Sequence, residues 1–229
     1  MAQSRKMCMA GDRNHVAPQH RYARAWLAAA LLAPCLALAA PWGCHGPKPG
    51  HPTAEERAAF VREVSELAIK AEKTHGVPAS ALAAIAIAES GYGYTRIALH
   101  ANNLFAWKFV PAAASSLKEY VLHCEQRRAR TRFAAFDSKA HAFDFVASKL
   151  ATLEAYRDHT HAYQAARKRG VAAEAAVKAW IDGVASRYSR KPEVFARKLT
   201  RIMNDPFDPR DTVSHESNLY RLSAAFRAH

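Results

Sequence analysis

Glycine is sparse in this chain, nine residues in 229. None of them builds a glycine-rich phosphate loop, and no serine stands in a nucleophile motif. Neither a nucleotide cofactor nor an acyl-serine chemistry is therefore expected. Metal chemistry is poorly supplied as well. His123-Cys124-Glu125 has ligand character, but no second pair stands at metal spacing, and His100, His141, His159 and His161 are scattered, so no metal is expected. The longest apolar run, Ala25–Ala40, is broken by Pro34 and falls short of the ~20 residues that span a bilayer. Acid is scarce too: 20 Asp and Glu face 33 Lys and Arg, a formal net charge of +13.

What is present at the N-terminus has the layout of an export signal. Arg5, Lys6, Arg13, Arg21 and Arg24 precede the apolar run, which leaves through the small residues Ala37-Leu38-Ala39. Residues 1–40 are expected to be a cleaved signal peptide, placing the protein in the periplasm or cell envelope. Their removal leaves 28 basic and 19 acidic residues, a net charge of +9. That charge suits an anionic wall polymer or membrane surface, while export argues against nucleic acid. A monomer is expected. Only Cys44 and Cys124 remain beyond the signal. Two readings stand: the pair forms a disulfide in an oxidising compartment, or Cys44 is a lipidated first residue, which Pro41-Trp42-Gly43 before it fits poorly. Residues 41–52, rich in proline and glycine, read as a linker, 53–205 as one folded domain and 206–229 as a tail.

Thr53 and Glu56 form a capping-box pattern ahead of Phe60, Val61, Val64, Leu67 and Ala71 at helical spacing. A second helix is expected from Ala79 to Glu89, between Pro78 and Gly91. On it Leu82, Ile85 and Glu89 share a face, so one carboxylate follows an alanine-isoleucine run into the interior. An apolar surround and the negative helix end both disfavour its ionised form. A carboxylic acid that keeps its proton near neutral pH can protonate a leaving-group oxygen, the task of a general acid in glycoside cleavage. A surface Glu paired with Arg96 is the plainer alternative.

Leu104–Phe109 alternates as a strand with Phe105, Trp107 and Phe109 on one side, and Trp107 is the ring best suited to a sugar face. Strand-like runs at 117–123 and 132–136 flank a basic turn at 127–132, giving a small antiparallel lobe that is expected to be mobile. Asp137-Ser138 caps a further helix. Short helices are expected at 160–169, stopped by Gly170, and at 172–182, stopped by Gly183, before a last one opened by Pro192. In the tail, Leu219, Leu222 and Phe226 suit an amphipathic turn on the domain or the envelope.

The segment from Gly76 to Ala98, containing Glu89-Ser-Gly-Tyr-Gly93 and Thr95-Arg-Ile-Ala98, followed by Asn102-Asn-Leu-Phe105, resembles the glucosaminidase family of peptidoglycan hydrolases. This lysozyme-like family includes the muralytic domain of flagellar rod-assembly proteins and many autolysins. Tyr92 stands where the family usually has Trp, and Ala106 where it has Gly. Tyr188-Ser-Arg-Lys-Pro192 continues the likeness, with Lys191 in place of a common Asp.

The resemblance implies a mostly helical α+β, lysozyme-like domain acting on peptidoglycan glycan strands by cleaving a β-1,4 bond after N-acetylglucosamine. It implies Glu89 as general acid, Glu119 of Glu119-Tyr120 as the second acid, and Tyr188 as the cleft tyrosine. Tyr92, Asn102, Asn103 and Trp107 would border the substrate, the two asparagines chiefly by shaping the cleft. Muramidase or transglycosylase chemistry stays open, as does a wall-binding or scaffold module on the same fold.

Overall fold

The computed structural model describes residues 42–111, 117–125, 128–207 and 218–225. The expected signal segment and Phe226 lie outside them. The described residues form seven α-helices, the alanine-rich second one at the centre, and a single two-stranded antiparallel sheet, the α+β, mostly helical architecture expected. Among the described residues, no helix is long and apolar enough to cross a membrane.

Helix α1 (Ala54–His75) opens with the predicted capping box, Thr53 and Glu56 each accepting the other's backbone N–H. It ends at Gly76 in the left-handed region (φ 69°). Helix α2 (Ala79–Ser90) follows and is buried from Ala79 to Ile87. It has no polar face because α1, α6 (Ala173–Tyr188), α7 (Pro192–Asn204) and a 3-10 turn (Leu219–Ser223) all pack on it. Alanine at most positions lets these neighbours approach closely, and Leu82, Ile85 and Ile87 fill the remaining space.

Beyond α3 (Arg96–Ala101), strands β1 (Lys118–Cys124) and β2 (Ala129–Ala135) pair from Lys118 opposite Ala135 to Cys124 opposite Ala129. The turn therefore sits earlier than predicted, with Arg128 at φ 47°, and Arg130 and Arg132 belong to the strand. Residues 104–109 do not form a strand. Asn103 holds this stretch as a loop, Ala106 adopts φ 50°, and only an isolated bridge joins Lys108 to Phe133. The alternation is broken at Ala106: Phe105 is buried in the core and Trp107 half-buried.

Helices α4 (Lys139–Thr152) and α5 (Glu154–Lys168) complete the ring, and α5 begins six residues before the predicted start at 160. Gly183 does not stop α6, which runs on to Tyr188. Its role is space, since a Cβ there would lie 2.3 Å from His159 Nδ1 on α5.

Both ends of the described chain are fastened to this body. Residues 42–52, read as a linker, run as a strap over α3 and the hairpin. Pro47 bridges Thr95, Lys48 N–H donates to Tyr94 O (2.8 Å), Arg96 donates to Trp42 O (2.8 Å), and Cys44 is disulfide-bonded to Cys124. The tail turn buries Leu219, Tyr220 and Ser223, and Ser80 N–H and Oγ both donate to Ser223 Oγ. Beneath it Glu72, almost fully buried, accepts from Tyr163 Oη (2.6 Å).

Candidate active site

The last turn of α2 explains why Glu89 is followed by Ser, Gly, Tyr and Gly. Ser90 Oγ donates to Ala86 O (2.5 Å) and accepts Gly93 N–H (2.8 Å), which ties the exit loop back onto the helix. Gly91, Tyr92 and Gly93 take left-handed φ values of 55°, 57° and 86°. At Gly93 a Cβ would stand 2.8 Å from the Phe60 ring. The helix thus ends abruptly, and Glu89 projects from a fixed rod into a cleft of about 640 Å³.

Three elements wall this cleft. On the helical side stand Glu89, Tyr156, Tyr188 and Lys198; on the lobe side Ile97, Leu122 and Phe133; and the loop 105–108 runs between them, with Cys44 and His45 of the strap completing the edge. Among the described lining residues Glu89 is the sole carboxylate. Burial raises its pKa above the ordinary carboxylate range, while the ammonium groups of Lys198 and Lys108 pull it partly back. Lys198 reaches from α7 to donate to Ala88 O (2.7 Å), one residue before the acid.

Tyr188 lines the same cleft from the end of α6. Its ring stacks on Phe195 at 5.2 Å, and its hydroxyl donates to Phe105 O (2.9 Å). Its pKa is raised well above the ordinary phenol value by burial first and by the Glu89 charge second, which places the two groups within electrostatic reach.

Asn103 is fully buried and spends its amide on the loop. Nδ2 donates to Trp107 O and Ala134 O, and Oδ1 accepts the N–H groups of Phe105 and Trp107. Asn102, in the left-handed region at the end of α3, donates to Phe136 O (3.0 Å). Neither lines the cleft; both fix the loop that does. Trp107 lines it while packing edge-to-face on Phe145 at 6.1 Å.

Besides the two asparagines, two further expected residues are not brought into the cleft. Tyr92 lies on the far side of the turn, donating to Pro206 O (2.7 Å), with Phe60 and Arg57 against its ring. Glu119 is held by Arg132 Nε (2.6 Å) and Nη2. Side chains alternate along a strand, so the face carrying Glu119 and Val121 is opposite to that of Leu122 and Phe133, which meets the cleft. The bond to Arg132 also holds the Glu119 carboxyl below its ordinary pKa, so it is anionic and paired. Lys108, Lys198, Tyr156 and His45 were not expected. Each reaches the cleft through tertiary packing, and no local sequence pattern marks them.

The match of residues 65–206 to the family model "Glucosaminidase: Mannosyl-glycoprotein endo-beta-N-acetylglucosaminidase" decides the family. The chain belongs to the glucosaminidase family. Solved structures that it resembles include the catalytic domain of the autolysin Auto from Listeria monocytogenes. That match has 19% identity and a TM-score of 0.45, over 69% of this chain and 90% of that one. A peptidoglycan hydrolase mutant from Sphingomonas sp. A1 matches at 25% identity and TM-score 0.45, over 65% and 94%. The glycoside hydrolase domain of FlgJ from Salmonella typhimurium matches at 21% and 0.43, over 63% and 84%. No curated protein matches the chain.

Proposed function

We propose that this glucosaminidase-family member, a glycosidase of the peptidoglycan-hydrolase type, is an exported endo-β-N-acetylglucosaminidase with Glu89 as its general acid. The observation that carries this reading is a lone half-buried carboxylate at the mouth of an apolar helix, its pKa raised by burial, opening onto a cleft with aromatic walls. Protonated Glu89 gives its proton to the glycosidic oxygen as the C1–O bond breaks.

An inverting path would need a second carboxylate about 6.5–9.5 Å away to activate water. Glu119 is engaged with Arg132 on the other hairpin face. The substrate's own acetamide is the better nucleophile here. Tyr188 directs its proton to Phe105 O, so its oxygen is free to accept the acetamide N–H and turn the acetamide carbonyl toward C1. Attack of that oxygen closes an oxazolinium ring. Water, deprotonated by the Glu89 carboxylate, then opens it with net retention at C1.

Export is supported by the positively charged, apolar leader and by the disulfide between Cys44 and Cys124, a bond suited to an oxidising compartment. The same bond occupies the sulfur that a lipid thioether would need. Purified cell-wall sacculi provide the test. The products should carry reducing-end N-acetylglucosamine, and Glu89→Gln should cut turnover by ~10²- to 10⁴-fold with the fold intact. Near-native activity of that variant would overturn the assignment. Reducing-end N-acetylmuramic acid or an anhydro product would replace it with muramidase or transglycosylase chemistry.

A further inference from the structure

The cleft carries more positive charge than its single acid can balance. Lys108 lies on the loop between the two walls, with Nζ 3.7 Å from the centroid of the Phe133 ring. Among the described residues, no carboxylate lies within ion-pairing distance of it and no protein acceptor takes its N–H donors. Lys198 differs, because its ammonium is engaged by Ala88 O. Partial desolvation first and the like charge of Arg190 second lower the Lys108 pKa, while the Glu89 charge raises it. Glu89 is the counter-charge, but it must be protonated at the moment it acts as an acid. In that state the Lys108 ammonium lines the cleft with no facing carboxylate to balance it. Being exposed on the cleft wall, that ammonium is hydrated when the cleft is empty and available to an anion that enters it.

We propose that Lys108 is a carboxylate-binding position that makes the cleft favour glycans with acidic substituents over neutral N-acetylhexosamine polymers. The inference rests on the glycosidase reading of this cleft and deepens it by naming a residue that sets specificity. The Phe133 ring beneath the ammonium holds it without consuming its hydrogen bonds, leaving them for a carboxylate of a sugar-linked peptide stem. The contact is made by a substituent rather than at the reacting carbon, so it acts mainly on binding.

The experiment compares soluble peptidoglycan oligomers bearing free stem-peptide carboxylates with chitooligosaccharides of equal length. Binding is measured by calorimetry in the Glu89→Gln background, and kcat and KM in the active enzyme. With Lys108→Met, affinity for the acidic oligomer should fall roughly tenfold, the effect of one charge-assisted contact, with a several-fold smaller loss on the neutral one. The kinetic loss should appear chiefly in KM, and Lys108→Arg should restore most of it. Added salt should weaken the acidic oligomer's binding to wild type and have less effect on the Lys108→Met variant. Equal losses on both oligomers, or a loss confined to kcat with a displaced alkaline limb of the pH profile, would overturn the proposal and make Lys108 a tuner of Glu89 alone. If Glu89→Gln still hydrolysed sacculi, the glycosidase assignment would fail by itself. The binding comparison would still decide the role of Lys108.

Discussion

Replacing both Cys44 and Cys124 by alanine tests how much of the stability comes through the unfolded chain. The bond joins residues 80 apart in sequence. Closing a loop of that length removes roughly 15 cal/mol/K of entropy from the denatured chain, which is about 4.5 kcal/mol at 25 °C. Alanine is the appropriate replacement because both sulfurs are buried and a serine hydroxyl there would need a partner. For a domain of this size, about 2–4 °C of melting temperature accompany each kcal/mol. The double variant should therefore melt about 9–18 °C lower by circular dichroism. Wild type treated with a reductant should fall by a similar amount. The strap's other contacts, Pro47 to Thr95 and Lys48 to Tyr94, are independent of the bond. The folded variant should thus keep its far-UV spectrum and most of its activity well below the new midpoint. A melting shift under about 3 °C with no free thiol in the native wild type would refute the loop-entropy argument.

Ala106→Gly should raise the melting temperature by about 2–4 °C, because an L-residue in the left-handed region costs about 1 kcal/mol and Ala106 sits at φ 50°. A decrease would show that its Cβ contacts in the lobe outweigh the strain. Tyr188→Phe should damage turnover on sacculi at least as much as Glu119→Gln, and Glu125→Gln should do little. A silent Tyr188→Phe beside an inactive Glu119→Gln would favour a water-activating base. Glu72 gives a pH dependence of stability. Burial raises its pKa to about 7 in the fold from an ordinary 4.5. The fold therefore binds the proton more tightly than the unfolded chain, and this contribution is complete below pH ~4.5 and lost as the pH rises through 7. Glu72→Gln should accordingly be near neutral at pH 5 and stabilising at pH 8, by an amount on the order of 3 kcal/mol in denaturant titrations, because its carbonyl can still accept from Tyr163. An unchanged difference between the two pH values would refute it.

Sequence pattern carried the elements whose causes are local. The capping box at Thr53, the end of α2 at Gly91 and the Ser138 cap of α4 each depend on residues a few positions apart, and each is found where the pattern puts it. The failures have distant causes. Gly183 reads as a helix stop, yet it accommodates His159 from another helix. Residues 104–109 alternate like a strand, but the Asn103 side chain and the register with Phe133 hold them as a loop. For Glu119, period-two alternation gives two faces without saying which one the rest of the molecule will cover. The position of Glu89 on the inner face of α2 was legible because one helix decides it. Lys108 and Lys198 were not, since their place beside the acid depends on how a loop and the last helix pack.

Helix α2 places the acid with a row of alanines. Ala79, Ala81, Ala83, Ala84 and Ala86 are all fully buried. They offer little chemistry of their own, and what they set is how near each neighbouring helix comes. A larger side chain at any of them would press outward on α1, α6, α7 or the tail turn, and the helix would shift as one body with Glu89 at its end. Random mutagenesis scored on cell-wall clearing should then find the molecule intolerant of added bulk along about two turns where no side chain touches the substrate. The active-site map drawn from such a screen would extend well beyond the cleft, down a rod of the smallest chiral side chains.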